Sequence, residues 1–144
     1  MGVRSMDHVN ITVSDLDAAI AFFQDIGLEL EGGKMAVEGE WVENIIALDG
    51  VREDIAMLRT PDGSKVELCQ FHTPVDDREA DAAPANRLGL RSVAFVVDDA
   101  QAVVDELGRK GYGLVGKLQN FEDMFLIGYV RGPDGIIVSI NQEL

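Results

Sequence analysis

A histidine and a glutamate stand inside two short stretches that otherwise alternate apolar and polar residues: His8 in "HVNITV" and Glu67 in "KVELCQ". An imidazole changes charge near neutral pH, which suits general acid/base work. A carboxylate in an apolar strand is costly to bury unpaired, so Glu67 needs a partner or a task. Together they make either an acid/base pair or two donors toward a divalent ion, which asks for three or four nitrogen, carboxylate or thiolate ligands. Without a metal, a carbanion next to a carbonyl has to be stabilised by hydrogen-bond donors. Asn10, Ser92, Ser139 and Asn141 are the candidates. Cys69 has no cation at a fixed spacing that would lower its pKa, and it reads as a small side chain beside the site.

These residues are positioned by a repeated unit. Aligning Pro61 with Pro133 in "RTPDGSKVELCQF" and "RGPDGIIVSINQEL" gives an offset of 72 residues (133 − 61) and brings Glu67 onto Ser139. Upstream, "DHVNITVSDLDAAIAFFQDIG" aligns with "RSVAFVVDDAQAVVDELGRKG" at an offset of 84 (91 − 7), bringing His8 onto Ser92. The first copy therefore carries about twelve extra residues within "EGGKMAVEGEWVENIIALDG", where the single tryptophan, Trp41, lies. Trp41 reads as a wall or lid for a flat substrate, or as cover for the core.

Each copy reads as strand, helix, then strands. Val9, Ile11 and Val13 alternate with His8, Asn10 and Thr12, the period of a half-buried strand. Leu16, Ile20 and Phe23, and their partners Ala100, Val104 and Leu107, follow at helical spacing, with Ser14 as the expected N-cap and Gly27 and Gly111 as stops. Pro-Asp-Gly predicts a turn in each copy. The expected architecture is α+β: two tandem βαβββ modules forming an open, cup-shaped sheet around a cleft, within a single domain spanning 1–144. Module 1 is about residues 5–72, an acidic, alanine-rich linker about 73–88, and module 2 about 89–142.

With Val9, Ile11 and Val13 under the helix, His8 and Asn10 face the other way, as do Glu67 and Cys69 on the last strand. The second copy adds Ser92, Ser139 and Asn141 to its open face. Phe121, Met124 and Phe125 are expected to line that half of the cleft. Small side chains there leave room for a ligand.

Bulk properties narrow the function classes. A net charge of −14 repels nucleic-acid backbones and anionic lipid surfaces, so neither is an expected partner. No apolar run reaches the roughly 18 residues of a membrane span. One cysteine and no visible apolar leader point to a cytoplasmic protein.

The stretches "HVNITVSDLDAAIAFFQDIG", "PDGSKVELCQF" and "PDGIIVSI" resemble the vicinal oxygen chelate superfamily, over roughly residues 6–141. That group includes glyoxalases, methylmalonyl-CoA epimerases, extradiol dioxygenases and the fosfomycin and bleomycin resistance proteins. The resemblance implies a homodimer that takes a small-molecule substrate or ligand. Carried over residue by residue, the family's metal ligands fall on His8, Glu67, Ser92 and Ser139, so two of the four positions hold metal donors. His8 and Glu67 are thus expected as ligands if a metal is present, and as acid and base if not. The expected activity is that of a lyase or isomerase acting next to a carbonyl. The alternative is a metal-free protein that sequesters a ligand, as in antibiotic resistance. A dioxygenase is disfavoured, since non-haem iron normally takes two histidines and a carboxylate.

Overall fold

The alternating stretch after His8 forms β1 (Val9–Thr12), and the helical spacing behind it forms α1 (Leu16–Ile26). The computed structural model describes residues 1–144, which divide into two compact units, Met1–Arg78 and Glu79–Leu144. In unit 1, β1 and α1 are followed by β2 (Glu29–Glu38), α2 (Glu40–Ile46), β3 (Arg52–Arg59) and β4 (Lys65–Thr73). Unit 2 comprises β5 (Ser92–Val96), α3 (Ala100–Arg109), β6 (Gln119–Phe121), β7 (Phe125–Arg131) and β8 (Ile137–Glu143).

Both sheets are four-stranded, mixed and open, in the orders β1-β4-β3-β2 and β5-β8-β7-β6. In each, the first strand runs parallel to the last and the other neighbours are antiparallel. The class is α+β with two tandem βαβββ modules, as the repeat predicts. No helix is long and apolar enough to cross a membrane.

The helix caps differ from expectation. Asp15, not Ser14, caps α1: its backbone is extended and its carboxylate accepts from Ala18 N at 3.0 Å. The helix begins at Leu16, so the third helical amide belongs to Ala18, and Ser14 stands one residue too early to reach it. Asp99 does the same for α3, accepting from Ala102 N at 2.9 Å. A second device repeats as well. Gln70 on β4 accepts from Leu16 N and Gln142 on β8 accepts from Ala100 N, both at 2.9 Å. Each final strand thus satisfies the first free amide of its own helix.

The main core of unit 1 lies between α1 and the sheet: Leu16, Ala19, Ile20, Phe22, Phe23 and Ile26 are buried, as are Val13, Ala56, Leu58, Val66 and Leu68 on the strand side. Unit 2 repeats this with Ala100, Val104 and Leu107 on α3 and Phe95, Val130, Val138 and Ile140 on the strands. The extra residues of the first copy become a long β2, ten residues against three in β6, and α2. Val42 of α2 forms a second small core with Val37 and Val51, joined by Ile46, Ile55 and Phe71. Register puts Val37, Ile55 and Phe71 on the side of the sheet that carries Glu67 and Cys69. Part of the face left open by the sequence reading is therefore covered.

The two Pro-Asp-Gly turns join β3 to β4 and β7 to β8. At the second, a Cβ on Gly135 would lie 2.9 Å from Asp81 O, so only glycine lets the preceding arm approach. Arg131 secures the arm by donating to Ala83 O at 2.8 Å and to Gly135 O at 3.0 Å.

Candidate functional site

The parallel pairing of β1 with β4 sets Asn10 against Glu67 and Thr12 against Cys69. Side chains of paired residues share a face, so these four meet on the side away from α1. Asn10 Nδ2 donates to Glu67 Oε1 at 2.7 Å. Thr12 Oγ1 lies 3.3 Å from Cys69 Sγ, and Asn10 Nδ2 lies 3.6 Å from it. His8, two residues before Asn10, brings Nε2 to 3.7 Å from Glu67 Oε2.

The other imidazole nitrogen is held too. His8 Nδ1 is 2.6 Å from Asp7 Oδ1. An ionised carboxylate only accepts, so this bond places a proton on Nδ1 and turns Nε2 toward Glu67. The hydrogen bond from His8, and then its charge, hold the Asp7 carboxyl below the usual carboxylate range. Asp7 is a member that the sequence reading does not single out. Its signal was its position beside His8.

A second missed member is Glu53 on β3. Its pairing with Phe71 puts it on the same face as Glu67 and Cys69. Burial, and then the negative charge of Glu67, push the Glu53 carboxyl up. Burial likewise raises the Cys69 thiol, beyond what its bonds to Thr12 and Asn10 offset. Cys69 is thus a packed thiol and a weak nucleophile.

The donor set does not fit a firmly held divalent ion. Within unit 1, Glu67 has one oxygen engaged by Asn10 and the other facing His8, and no group of three His, Cys, Asp or Glu side chains is placed to hold a metal. In unit 2 the corresponding positions, Ser92 and Ser139, offer neutral hydroxyls. His72 does not complete the set, because its Nε2 pairs with Asp54 Oδ2 at 2.9 Å, and both lie on the opposite side of the sheet from Glu67.

On unit 2, register places Ser92, Ala94, Ser139 and Asn141 on the side away from α3, with Phe125 at the far end opposite Glu143. Ser139 donates to Asn141 Oδ1 at 2.6 Å. Phe121, the last residue of β6, and Met124, just before β7, are exposed. Trp41 lies on α2 but is 59% exposed, and its Nε1 donates to Glu38 O at 3.0 Å. The small core beneath α2 is filled by Val42 and Ile46, so Trp41 does not cover it.

Comparison with known proteins places these features in context. Residues 7–125 match the profile of the glyoxalase/bleomycin resistance protein/dioxygenase superfamily. A glyoxalase family protein from Bacillus cereus is 41% identical, with a TM-score of 0.95 over 100% of this chain and 97% of that one. A glyoxylase/bleomycin resistance protein/dioxygenase domain from Frankia sp. is similar in fold at 18% identity and TM-score 0.68, covering 99% of this chain and 100% of that one. The trypanothione-dependent glyoxalase I of Leishmania major is similar at 19% identity and TM-score 0.68, over 98% of this chain and 88% of that one. No curated protein matches.

Proposed function

The chain belongs to the glyoxalase/bleomycin resistance protein/dioxygenase superfamily, and on that premise we propose that it is a lyase or isomerase that moves a proton at a carbon next to a carbonyl. The observation that carries this reading is the Asp7–His8–Glu67–Asn10 chain, with His8 Nε2 at 3.7 Å from Glu67 Oε2. Asp7 fixes the imidazole tautomer, as a carboxylate does for any histidine base. Asn10 holds the Glu67 carboxylate by one oxygen. A substrate C–H presented to His8 from the open face loses its proton to Nε2, and the bond's electron pair moves onto the carbonyl oxygen as an enolate. Glu67 stabilises the imidazolium formed. The imidazolium returns the proton to the neighbouring carbon, which makes the net change an isomerisation. Every step uses side chains of unit 1.

The test is wash-out of the α-proton in D2O, followed by proton NMR over a panel of carbonyl compounds. His8→Gln and Glu67→Gln are expected to slow it by roughly 10²–10⁴-fold. Unchanged exchange in both variants rejects the reading.

A second reading rests on a different observation. The counterparts of His8 and Glu67 in unit 2 are serines, and the Ser139 hydroxyl is committed to Asn141. Such a face suits a protein that sequesters an aromatic compound without changing it. Stoichiometric binding with no product supports this, and turnover of the same compound at catalytic protein concentration excludes it. In either case we read the chain as a cytoplasmic homodimer. Exposed Trp41, Ile45 and Leu48 on and after α2 are consistent with a second copy, and sedimentation equilibrium measures the association.

A further inference from the structure

Two rows of side chains cross the face of unit 2 that lies away from α3. β8 stands between β5 and β7, and register sets Ala94, Ser139 and Tyr129 in one row and Val96, Asn141 and Ile127 in the next. Ser139 is only 5% exposed, and its hydroxyl runs along the strand to Asn141 Oδ1 at 2.6 Å. That bond turns the carboxamide oxygen of Asn141 inward and its Nδ2 hydrogens outward. Nδ2 has no protein acceptor, and the one buried unpartnered side-chain nitrogen or oxygen is Arg91 Nε, so solvent reaches Nδ2.

The two neighbours of this donor in its own row are apolar, while the row toward the end of β8 holds Phe125 and the exposed carboxylate of Glu143. Val96, on one side, is 67% exposed, and Ile127, on the other, is half-buried. The Tyr129 ring belongs to the adjoining row. Beyond it, Arg131 is engaged by Ala83 O and Gly135 O. The corresponding place in unit 1 is Cys69, whose thiol is already partnered by Thr12 and Asn10, so the free amide is peculiar to unit 2. An apolar platform with one oriented donor matches a flat molecule with one acceptor oxygen. An anion gains little here, because the amide is neutral and the chain carries a net charge of −14.

We propose that this face binds an uncharged, flat aromatic compound by one carbonyl oxygen, which accepts from Asn141 Nδ2 while the ring lies over Val96, Ile127 and Tyr129. This rests on the reading of the protein as one that takes carbonyl-bearing small molecules, and it adds the ligand class and the residue that recognises it.

The experiment titrates the full-length, ¹⁵N-labelled chain with acetophenone, using ethylbenzene as the analogue without oxygen. The Asn141 side-chain amide, assigned by its loss in Asn141→Asp, is expected to shift with acetophenone and not with ethylbenzene. Asn141→Asp keeps the shape and removes the donors, and Asn141→Leu removes all polarity. With native-like spectra, each is expected to weaken acetophenone about tenfold or more while leaving ethylbenzene unchanged. An unmoved amide at the solubility limit of acetophenone, equal affinity for both compounds, or wild-type binding by both variants overturns the proposal. Exchange of the acetophenone methyl protons in D2O separates the two readings. A shifted amide without exchange keeps this proposal and counts against the acid/base reading, and exchange with an unmoved amide does the reverse.

Discussion

His8 Nδ1 lies 2.6 Å from Asp7 Oδ1, and this contact decides which imidazole nitrogen faces Glu67. Asp7→Asn keeps the shape but lets the amide donate, so the Nδ1 proton is no longer specified. The expected result is a loss of about tenfold or more in kcat with KM little changed. Asp7→Glu, which restores an acceptor, is expected to recover part of it. Wild-type kcat in Asp7→Asn would mean that the tautomer is set elsewhere.

Gln70 and Gln142 tie the last strand of each unit to the first amide of its helix. Replacing either with leucine leaves a part-buried N–H without its acceptor, at a cost of about 1–2 kcal/mol. The glutamate variants keep an acceptor next to the positive end of the helix and are expected to hold near wild-type stability. Urea denaturation of the four variants checks this, and leucine variants as stable as wild type would show that water replaces the lost acceptor.

The small core under α2 distinguishes two neighbouring residues. Val42 is 4% exposed against Val37 and Val51, whereas Trp41 faces solvent. Val42→Ala is expected to cost about 1–3 kcal/mol, and Trp41→Ala less than about 0.5 kcal/mol. If Trp41→Ala instead weakens binding of an aromatic ligand at unchanged stability, Trp41 acts as a wall for that ligand. Calorimetric melting and a ligand titration on the same samples separate these outcomes.

The repeat was legible because its signals are local and redundant. Strand alternation at Val9–Val13 and helical spacing from Leu16 agree at one offset, the two Pro-Asp-Gly turns and the strands after them at a second, and each maps onto an observed element. What was not legible depends on one-residue geometry. Ser14 and Asp15 are both good capping residues by type, and only the extended backbone of Asp15 selects it. α2 is seven residues long, follows Gly39 without a side-chain cap, and leaves too short a period to read. Glu53 joins the face of Glu67 because β3 pairs it with Phe71, in regular alternation with Ile55 opposite Cys69 and Met57 opposite Glu67, a pairing that the sequence alone does not reveal. Of the candidate site, the strand positions of His8, Asn10, Glu67 and Cys69 follow from alternation alone. Glu53 emerges only once the strands are paired.

Cys69 gives a pH-dependent expectation. Burial raises its thiol above the ordinary value, and the nearby Glu53 and Glu67 charges add to this. A raised folded-state pKa means that fewer thiolates are present at any given neutral pH than in the unfolded chain, and only the thiolate reacts. Modification by a disulfide reagent at pH 7.5 is therefore expected to be much slower in the folded protein than in urea. The folded-state rate should keep rising with pH beyond the point at which an ordinary thiol has fully ionised. The sign follows for stability as well. Because the folded state holds its proton more tightly, the thiol's contribution is present below the unfolded-state pKa and is lost as pH climbs through the folded one. A reaction as fast as that of an unfolded thiol would show that Cys69 is reached by solvent and ionises freely. It would then have to be reconsidered as a reactive group next to Glu67 rather than as packing beneath it.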